Sequence, residues 1–514
     1  MMSQTVARIG QKQIFRRRLL PALPASIDNS FKASAFPQRF SFPSHYQQQR
    51  MVQGVAITNN CIVNTNPANG EIISRVPCTT KEELERLLSA SCSAQPQWAA
   101  TSLTDRIRFL RKGLEAIAAK KEAFIDMIVQ EMGKPFTEAR AEVEGSVSRD
   151  EYFRVLQDAL EPKKRGKNCQ VVRQPLGVVA ILSPWNFPVD EILLLALPAL
   201  ASGNTVVVKP SEVTPETGAM VVETLSSVLP EYVVQHAQGD GIVGSHIVAH
   251  PLVSMVAMTG SSATGKKILQ SCAASLNIKR LVLELGGKDP MIVFDDADLE
   301  QAASDAVTYS LSNTGQVCCS IERVYVAQRI YENFCERVVR HAETFKVGDG
   351  RDPTVKVGPM VSSIQRDVVK EHVKDAIEKG AKLLYESPPV TGGTFHPVTV
   401  LSEVTDQMKV YREETFGPIV SLIPFDGTES SATRLANDSQ YGLASSVYTK
   451  DLAKAERVAN SIHAGQVGIN CYSIENMDVG CPWVGHKQSG YGYHSGLEGF
   501  QQFSVPKSIV LKPN

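Results

Sequence analysis

The feature that most limits the possible folds is a series of short apolar segments that alternates with helical segments from residue 177 onward. The apolar segments cover residues 177–182, 205–208, 253–258, 281–283 and 291–294. The helical segments cover residues 191–201, 216–229, 264–275 and 299–311. Continuous apolar strands separated by helices are typical of a parallel sheet that is buried on both faces. A second such series runs from residue 323 to about 470, so the sequence predicts an α/β fold with two α/β layers.

The chain before this series is predicted to be mostly helical. Apolar side chains recur at spacings of three and four between residues 81 and 129, with Ser102 or Thr104 as the candidate N-cap. The Gly-Lys-Pro sequence at 133–135 ends that region, and a second helical region covers residues 138–160. Residues 161–173 are basic and irregular and predict a projecting hairpin. The C-terminal residues 503–512 predict an extended strand that joins a sheet elsewhere.

The first 48 residues have the composition of a targeting segment. Residues 1–50 hold eight basic residues and one acidic residue. An Arg- and Ser-rich segment that is nearly free of acidic residues is typical of a transit peptide. We therefore expect a mitochondrial or plastid location, with a cytoplasmic location and a disordered tail as the alternatives.

Composition excludes several classes of protein. A net charge of −1 is unlike the basic surface of a nucleic-acid-binding protein. The ten cysteines include no CxxC pair and no zinc-like spacing with His, so we expect free thiols and no metal. The longest apolar run, at 192–201, is far shorter than the roughly 20 residues that span a bilayer, so no membrane segment is expected.

A carboxylate and a thiol stand in two glycine-containing motifs. Glu284 ends an apolar segment and precedes Gly286 and Gly287, whose backbones can turn sharply. Cys318 follows a Gly-Gln pair at 315–316. A thiol nucleophile and a carboxylate base are the groups required for covalent acyl chemistry, in which water later releases the acyl group. A lone cysteine is more often a small buried apolar residue, so the surrounding motifs decide between these roles.

Two polar motifs follow predicted strands directly. Residues 184–188 (Pro-Trp-Asn-Phe-Pro) place the Asn186 amide where it can donate to a developing oxyanion. Lys209 and Glu212 follow the strand at 205–208, and ligands of doubly wound sheets bind at such carboxyl ends. Taken alone, the first motif fits a proline-rich turn, and the second fits a solvated charge pair.

A third motif is a glycine-containing loop at 259–267 that closes a strand and opens a helix. Loops of this kind bind anions at a helix N-terminus. The sequence is nearly a P-loop, but Lys267 stands where the magnesium-binding hydroxyl would be, so a dinucleotide pyrophosphate is favoured over a triphosphate. A fourth motif, at 413–418 (Glu-Glu-Thr-Phe-Gly-Pro), sets a second carboxylate beside an aromatic ring.

The order of these motifs along the chain is more specific than any one of them. Over about residues 60–510, the chain resembles the aldehyde dehydrogenase superfamily, whose motifs occur here in the family's order. The resemblance implies oxidation of an aldehyde to a carboxylate with NAD, or with NADP, through an acyl group on a cysteine. It identifies Cys318 as the nucleophile, Glu284 as the general base and Asn186 as the oxyanion donor. We therefore expect positive charge or backbone amides to lower the pKa of Cys318, and we expect the adjacent Cys319 to pack in the core.

The resemblance also implies cofactor contacts and an architecture. The implied cofactor-binding residues are Trp185, Lys209, Glu212, Gly260, Ser261, Gly265, Glu414 and Phe416. The implied fold is a cofactor-binding doubly wound parallel sheet domain, an α/β catalytic domain and a small β oligomerisation element. We expect an NAD-binding domain at 49–150 and 174–284, a catalytic domain at 285–480, and oligomerisation elements at 151–173 and 490–514. A homodimer or homotetramer is the expected assembly.

Two positions depart from the family pattern. Trp483 and Val484 stand where the family commonly has Phe-Gly, and Tyr493 and His494 stand where it commonly has Arg-Glu. The substrate and the assembly are therefore less defined than the chemistry. Three alternatives are less consistent with the sequence: a P-loop NTPase, for which the hydroxyl is missing; a CoA-acylating family member, which would lack Glu284; and a non-catalytic scaffold, which would not require the catalytic residues.

Overall fold

A computed structural model of the chain describes residues 49–512. The predicted transit peptide at 1–48 lies outside the described residues. The strands are β1 (Gln49–Val52), β2 (Val55–Thr58), β3 (Cys61–Thr65), β4 (Ile72–Pro77), β5 (Lys163–Arg165), β6 (Cys169–Pro175), β7 (Val178–Leu182), β8 (Thr205–Lys209), β9 (Val234–His236), β10 (Val253–Thr259), β11 (Arg280–Glu284), β12 (Asp289–Val293), β13 (Ile321–Ala327), β14 (Lys382–Glu386), β15 (Thr399–Ser402), β16 (Ile419–Phe425), β17 (Tyr441–Gly442), β18 (Ala444–Tyr448), β19 (Gln466–Ile469), β20 (Trp483–Val484), β21 (His486–Lys487), β22 (Gly490–Tyr491), β23 (Tyr493–His494) and β24 (Ser504–Val510).

The α-helices lie between these strands in the order expected for an α/β chain. They are α1 (Lys81–Ala100), α2 (Leu103–Ala119), α3 (Lys121–Met132), α4 (Phe136–Val147), α5 (Asp150–Leu160), α6 (Asp190–Ala201), α7 (Pro215–Ser226), α8 (Gly241–Ala249), α9 (Ser262–Ala273), α10 (Leu299–Leu311), α11 (Tyr331–Ala342), α12 (Ser363–Glu378), α13 (Lys409–Arg412), α14 (Glu429–Asn437), α15 (Leu452–Ser461) and α16 (Gly496–Phe500).

Two large sheets form the framework of the described chain. The six-stranded sheet has the order β22-β11-β10-β7-β8-β9, in which every neighbouring pair is parallel except β11 with β22. The seven-stranded sheet has the order β14-β15-β16-β13-β12-β18-β19, and its edge strand β14 is antiparallel. The predicted pair of mainly parallel α/β layers is confirmed.

Both large sheets are covered on both faces. Alternate residues of β7 belong to different apolar clusters: Val179 and Ile181 pack into one, and Val178 and Ala180 pack into another. Strand β12 divides in the same way between two further clusters. The apolar run at 192–201 falls within helix α6, which lies buried against the first sheet. Continuous apolar strands are stable here because neither face meets water.

The helical region at 81–129 is three helices rather than one. Ser102, one of the two predicted N-caps, is the N-cap of α2. Its side chain accepts a hydrogen bond from the Asp105 N–H. Lys120 separates α2 from α3, which ends at Gly133 in a left-handed conformation, φ +75°. Apolar periodicity continues through such short breaks and therefore does not reveal them.

Strand β9 and helix α8 were not predicted. Strand β9 has three residues, and its central Gln235 interrupts the apolar pattern. Helix α8 begins at Asp240, whose side chain accepts from the Ile242 N–H. Both elements are too short for periodicity to distinguish them from a loop.

The segments assigned to oligomerisation do not form a single element. Strands β5 and β6 form the predicted hairpin, and β24 pairs with β6 in a three-stranded antiparallel sheet. In contrast, α5 packs inward, with Tyr152 against Phe500 of α16 at 4.6 Å between ring centroids. Strand β22 extends the six-stranded sheet. Apolar side chains of both segments, such as Tyr152 and Phe500, thus join the main core, and their role in oligomerisation stays a prediction.

No α-helix within residues 49–512 is both long and apolar enough to cross a membrane. Over the same residues, no group of three or more His, Cys, Asp or Glu side chains is arranged to hold a metal ion.

Candidate active site

The predicted site residues converge at the carboxyl ends of the parallel strands. A cavity of about 710 Å³ lies at this edge, and it is lined by nine of the eleven predicted residues: Cys318, Asn186, Trp185, Lys209, Glu212, Gly260, Ser261, Glu414 and Phe416. Glu284 and Gly265 do not line it. Gly265 lies beneath the lining, where an added Cβ would come within 2.9 Å of the Leu285 side chain.

Two glycines allow the loops of this site to approach one another. A Cβ at Gly287 would lie 2.1 Å from the Cys318 carbonyl oxygen. A Cβ at Gly315, which has φ +72°, would lie 2.1 Å from the Gly417 carbonyl oxygen. Both distances are shorter than real Cβ contacts, so only glycine permits the backbone packing that brings these loops beside Cys318.

The loop that carries Cys318 is fixed by buried amides. The Asn186 Nδ2 donates to the Gln316 carbonyl at 3.1 Å, and Asn313 Nδ2 donates to the Asn186 carbonyl at 3.0 Å. The Gln316 side chain accepts from the Val361 N–H at 2.9 Å. Asn186 therefore lies against the loop that carries Cys318, with a second amide proton left for a ligand.

The residues just before this loop have unusual backbone angles. Asn313 and Thr314 have φ of +50° and +62°, a region that non-glycine residues seldom adopt. Glu138 of α4 stabilises them by accepting from the Asn313 N–H at 2.8 Å and from the Ser312 hydroxyl at 3.2 Å. Backbone strain that is held by side-chain hydrogen bonds is typical of a functional loop.

The environment of Cys318 corrects one expectation. A thiol nucleophile was expected to have its pKa lowered by positive charge or by backbone amides. Instead, hydrogen bonding with Cys319, burial, and the charges of Cys319, Glu284 and Glu191 raise the pKa of Cys318 well above its usual value. Each of these factors disfavours the thiolate, so the thiol is neutral at physiological pH in this state of the site.

The adjacent Cys319 belongs to the core, as the sequence favoured. It is 2% exposed, and the Tyr472 hydroxyl donates to its Sγ at 3.1 Å and to its carbonyl oxygen at 3.0 Å. The Tyr472 ring stacks on Tyr309 at 4.0 Å between centroids. Of the two neighbouring thiols, Cys318 lines the cavity and Cys319 does not.

Glu284 is the last residue of β11 and is 3% exposed. Its Oε1 accepts from the indole Nε1 of Trp483 at 2.5 Å. Burial raises the pKa of Glu284 well above the usual carboxyl value, the indole N–H lowers it, and the charges of Glu191 and Cys319 raise it further. A carboxyl group in such surroundings keeps its proton to a higher pH than an exposed carboxyl group does.

Glu191 is a site residue that the sequence analysis missed. It lies in the first turn of α6, where its Oε2 accepts from the Thr259 hydroxyl at 2.8 Å. Burial, first of all, raises the pKa of Glu191 to about 7. One indication in the sequence that Glu191 belongs to the site is its charge at the start of the long apolar run.

Lys209 and Glu212 form a buried ion pair at the end of β8. The Lys209 Nζ donates to a Glu212 carboxylate oxygen at 3.2 Å and to the Pro210 carbonyl at 2.6 Å. Both side chains line the cavity and are less than one-tenth exposed. The predicted solvated pair is thus excluded, and these groups can receive the hydroxyls of a ribose.

Ser261 begins helix α9. Its hydroxyl accepts from the Thr264 N–H at 3.2 Å, and the residue is exposed at the cavity. The helix N-terminus behind it carries the partial positive charge that a phosphate would meet.

The motif at 413–418 closes the opposite side of the cavity. The Gly287 N–H donates to Glu414 Oε1 at 3.0 Å, and burial raises the pKa of Glu414 to about 8. The Phe416 ring meets Trp185 edge-on at 5.5 Å between centroids. Phe416 has φ +53°, which makes its backbone a strained non-glycine position.

Two further residues, Glu322 and Lys288, hold this motif in place, although the sequence did not identify them as site residues. Glu322 accepts from the backbone N–H groups of Thr415 at 2.8 Å and Phe416 at 3.0 Å. The Lys288 ammonium, which is buried, pairs with Glu322 and also donates to the Thr415 hydroxyl at 3.2 Å. The charges neutralise each other, so the pair can stay buried while it fixes the strained turn.

The sequence pattern of the Aldehyde dehydrogenase family matches residues 55–509. The chain is 35% identical to a 3-sulfolactaldehyde dehydrogenase of Pseudomonas putida over 480 residues, covering 91% of this chain and 98% of the relative. It is 34% identical to the NADP⁺-dependent succinate-semialdehyde dehydrogenase of Escherichia coli over 477 residues, with coverage of 91% and 98%.

Solved structures give the same result. An aldehyde dehydrogenase from Brucella melitensis biovar abortus superposes with a TM-score of 0.83 at 35% identity, covering 91% of this chain and 98% of the other. A mutant aldehyde dehydrogenase of Pseudomonas syringae, complexed with NAD⁺ and octanal, gives a TM-score of 0.83 at 32% identity, with coverage of 91% and 97%.

The predicted mitochondrial or plastid location is wrong. The relatives named above come from bacteria, which have neither organelle. The basic composition of residues 1–48 misled this prediction, because the transit-peptide bias is a property of composition alone.

Proposed function

This chain belongs to the aldehyde dehydrogenase family, whose members are oxidoreductases that convert an aldehyde to a carboxylate, and we propose that Cys318, Asn186 and Glu284 carry out the reaction with NAD(P)⁺. The observation that supports this assignment is the shared cavity of about 710 Å³, in which Cys318 and Asn186 meet the Lys209–Glu212 pair. A nucleophile, an amide donor and a nucleotide-sized space thus lie together.

The first half of the reaction uses the fixed loop. Cys318 Sγ gives its proton to solvent water and attacks the aldehyde carbonyl carbon. A C–S bond forms as the carbonyl π electrons move to oxygen, which gives a thiohemiacetal. The Asn186 amide donates to the oxyanion, and the Cys318 backbone N–H is the second proposed donor. Because Asn186 is already held by Gln316 and Asn313, little reorganisation is needed when the negative charge develops.

The cofactor fits the residues present. The Lys209–Glu212 pair would hold the adenosine ribose, Ser261 and Gly260 the pyrophosphate, and Glu414, Phe416 and Trp185 the nicotinamide side. When bound, NAD(P)⁺ supplies the acceptor for the hydride of the thiohemiacetal carbon. The close approach of Gly265 to Leu285 lets the first turn of α9 pack near the sheet, which leaves the cradle for the phosphates open.

The second half of the reaction uses Glu284. The thioester on Cys318 is hydrolysed by a water molecule, and Glu284 takes a proton from that water as it attacks. The resulting carboxylate leaves and Cys318 recovers its thiol. A raised pKa makes the ionised Glu284 a stronger base than an exposed carboxylate, and the proton it takes then passes to solvent.

We also propose that the protein assembles as a homodimer or a homotetramer through the three-stranded sheet. Strand β24 lies at the edge of that sheet, and Ile509, Val510 and Leu511 are exposed there at 40%, 70% and 65%. An apolar edge strand of this kind favours pairing with another chain.

The test of the proposed function is NAD⁺ reduction with a panel of aliphatic, aromatic, amino and acidic aldehydes. The wild-type protein is expected to form NADH with at least one of them. Cys318→Ala should abolish this activity, and the matched control Cys319→Ala should retain most of it, because only the Cys318 thiol lines the cavity. Loss of activity in Cys319→Ala alone would move the nucleophile by one residue, and inactivity of the wild type with all aldehydes and both cofactors would contradict the proposal.

A further inference from the structure

Trp483 lies beside the proposed general base and has no role in the mechanism proposed above. It begins strand β20, which pairs with β23 so that Trp483 lies opposite His494. The two rings stack at 6.5 Å between centroids with an interplanar angle of 24°. Burial lowers the pKa of His494 to about 4, so the ring beneath the indole is uncharged at physiological pH. The indole is therefore oriented by a strand pair and by a neutral ring.

The orientation of the indole directs its N–H at the proposed general base. Trp483 Nε1 donates to Glu284 Oε1 at 2.5 Å, a short distance for a charge-assisted hydrogen bond. Glu284 is nearly inaccessible and lies outside the lining of the cavity that contains Cys318. Phenylalanine, which is common at this position in the family, has no N–H to offer.

We propose that Trp483 is a positioning residue that holds the Glu284 carboxylate in place, in the ionised form that can take a proton from water. This inference rests on the proposed function, because it concerns the hydrolysis of an acyl group on Cys318. Trp483 has no role in the first half of the reaction, which depends on the Cys318 loop and Asn186.

The groups that face Glu284 explain why such a donor is needed. Glu191 approaches from α6, and the thiols of Cys318 and Cys319 approach from the loop that follows α10. Burial is the main factor that disfavours a negative charge on Glu284, and the charges of Glu191 and Cys319 disfavour it further. The indole N–H is the contact that favours the charge. Without it, Glu284 would remain protonated, and inactive as a base, up to a higher pH.

The test is the rate at which the acyl group leaves Cys318 as a function of pH in Trp483→Phe. Acyl-enzyme formed by rapid mixing with NAD⁺ and aldehyde is quenched at intervals, and its added mass is measured on the peptide that contains Cys318. The wild-type rate should rise with pH as Glu284 ionises. In the variant, loss of one charge-assisted hydrogen bond should shift the midpoint upward by about one pH unit, which is a roughly tenfold slower release below both midpoints. The amplitude of the NADH burst should not change.

Two control variants separate positioning from folding. Trp98→Phe removes another indole hydrogen bond, from Nε1 to the Leu200 carbonyl at 2.9 Å, in the core beneath α1. It should lower the thermal midpoint and leave the pH profile unchanged. Trp483→His retains a ring N–H and should restore the profile toward that of the wild type.

The outcomes distinguish this proposal from the proposed function. The release of the acyl group from Cys318 could have the same pH midpoint in Trp483→Phe and in the wild-type protein. That result would overturn the role of Trp483 and leave the proposed mechanism intact. Failure of the wild-type protein to acquire an acyl group on Cys318 would overturn both.

Discussion

The Cys318 loop and the Glu284 side chain lie in one site but are held in different ways. The loop is fixed through buried hydrogen bonds from Asn186, Asn313 and Val361. Among the residues that the structure describes, by contrast, a single side-chain donor, Trp483, holds the Glu284 carboxylate. The two proposed halves of the reaction require these two different arrangements. Attack on a carbonyl requires a preorganised oxyanion site, whereas a general base must exchange its partner for water.

The sharpest way to separate the two regions is Glu284→Gln. This change keeps the shape of the side chain and removes the base, so attack and hydride loss should continue while thioester hydrolysis stops. Loss of a general base costs about 10²–10⁴-fold in rate, and steady-state turnover should fall by that amount. Stopped-flow absorbance should show a burst of about one NADH per active site, followed by slow turnover.

Glu322→Gln is a useful control for Glu284→Gln. It also removes a buried carboxylate, but that carboxylate holds the turn at Thr415 and Phe416 and lies outside the proposed chemistry. It should lower the thermal midpoint and weaken cofactor binding without producing an accumulated acyl group on Cys318. A Glu284→Gln enzyme that folds, turns over at the wild-type rate and gives no burst would mean that another group activates the water.

Asn186→Ala tests the other region. It removes the Nδ2 that faces the Cys318 loop, and removal of one oxyanion donor costs about 10²–10³-fold in the rate of the step it serves. In contrast to Glu284→Gln, this loss should fall on the burst itself, because the thiohemiacetal forms more slowly. The measurement is the single-turnover rate of NADH formation at saturating aldehyde.

A second variant separates chemistry from loop support in that test. Asn313→Ala removes hydrogen bonds to Asn186 and Gln316 without removing the proposed oxyanion donor. Its burst should therefore be slowed less than that of Asn186→Ala. Equal slowing in the two variants would mean that Asn186 acts only by supporting the loop.

Sequence patterns predicted the general position of the site because that position follows from strand topology. In a parallel sheet, the residues that follow the strands gather at one edge, so Asn186, Lys209 and Glu284 could be placed together before any coordinates. The patterns could not predict contacts between residues far apart in the chain. The hydrogen bond from Trp483 to Glu284 spans 199 positions, and the one from the Asn313 N–H to Glu138 spans 175.

Protonation states were predicted less well than positions. A catalytic thiol was expected to have a lowered pKa, and Cys318 has a raised one, because Cys319, Glu284 and Glu191 surround it. No motif predicts this raised pKa, since Glu191 lies at the start of an apolar helix and Cys319 has the features of an ordinary core residue. The net electrostatic effect depends on the packing of three separate segments, which contain Glu191, Glu284 and the two adjacent cysteines.

The smallest predicted effect concerns the choice of cofactor, which depends on neither of the two regions compared above. Glu212 lines the cavity beside Lys209, and a carboxylate at the adenosine ribose repels a 2′-phosphate. The buried Lys209 neutralises part of that charge, so we expect a moderate preference for NAD⁺ over NADP⁺. Glu212→Gln should shift the ratio of kcat/KM values toward NADP⁺ by about tenfold, equivalent to roughly 1.4 kcal/mol. Glu223→Gln, which removes an exposed charge from α7, should leave the ratio unchanged. If the two variants have the same cofactor ratio, the Glu212 carboxylate does not face the ribose, and the assignment of the Lys209–Glu212 pair to the cofactor is wrong.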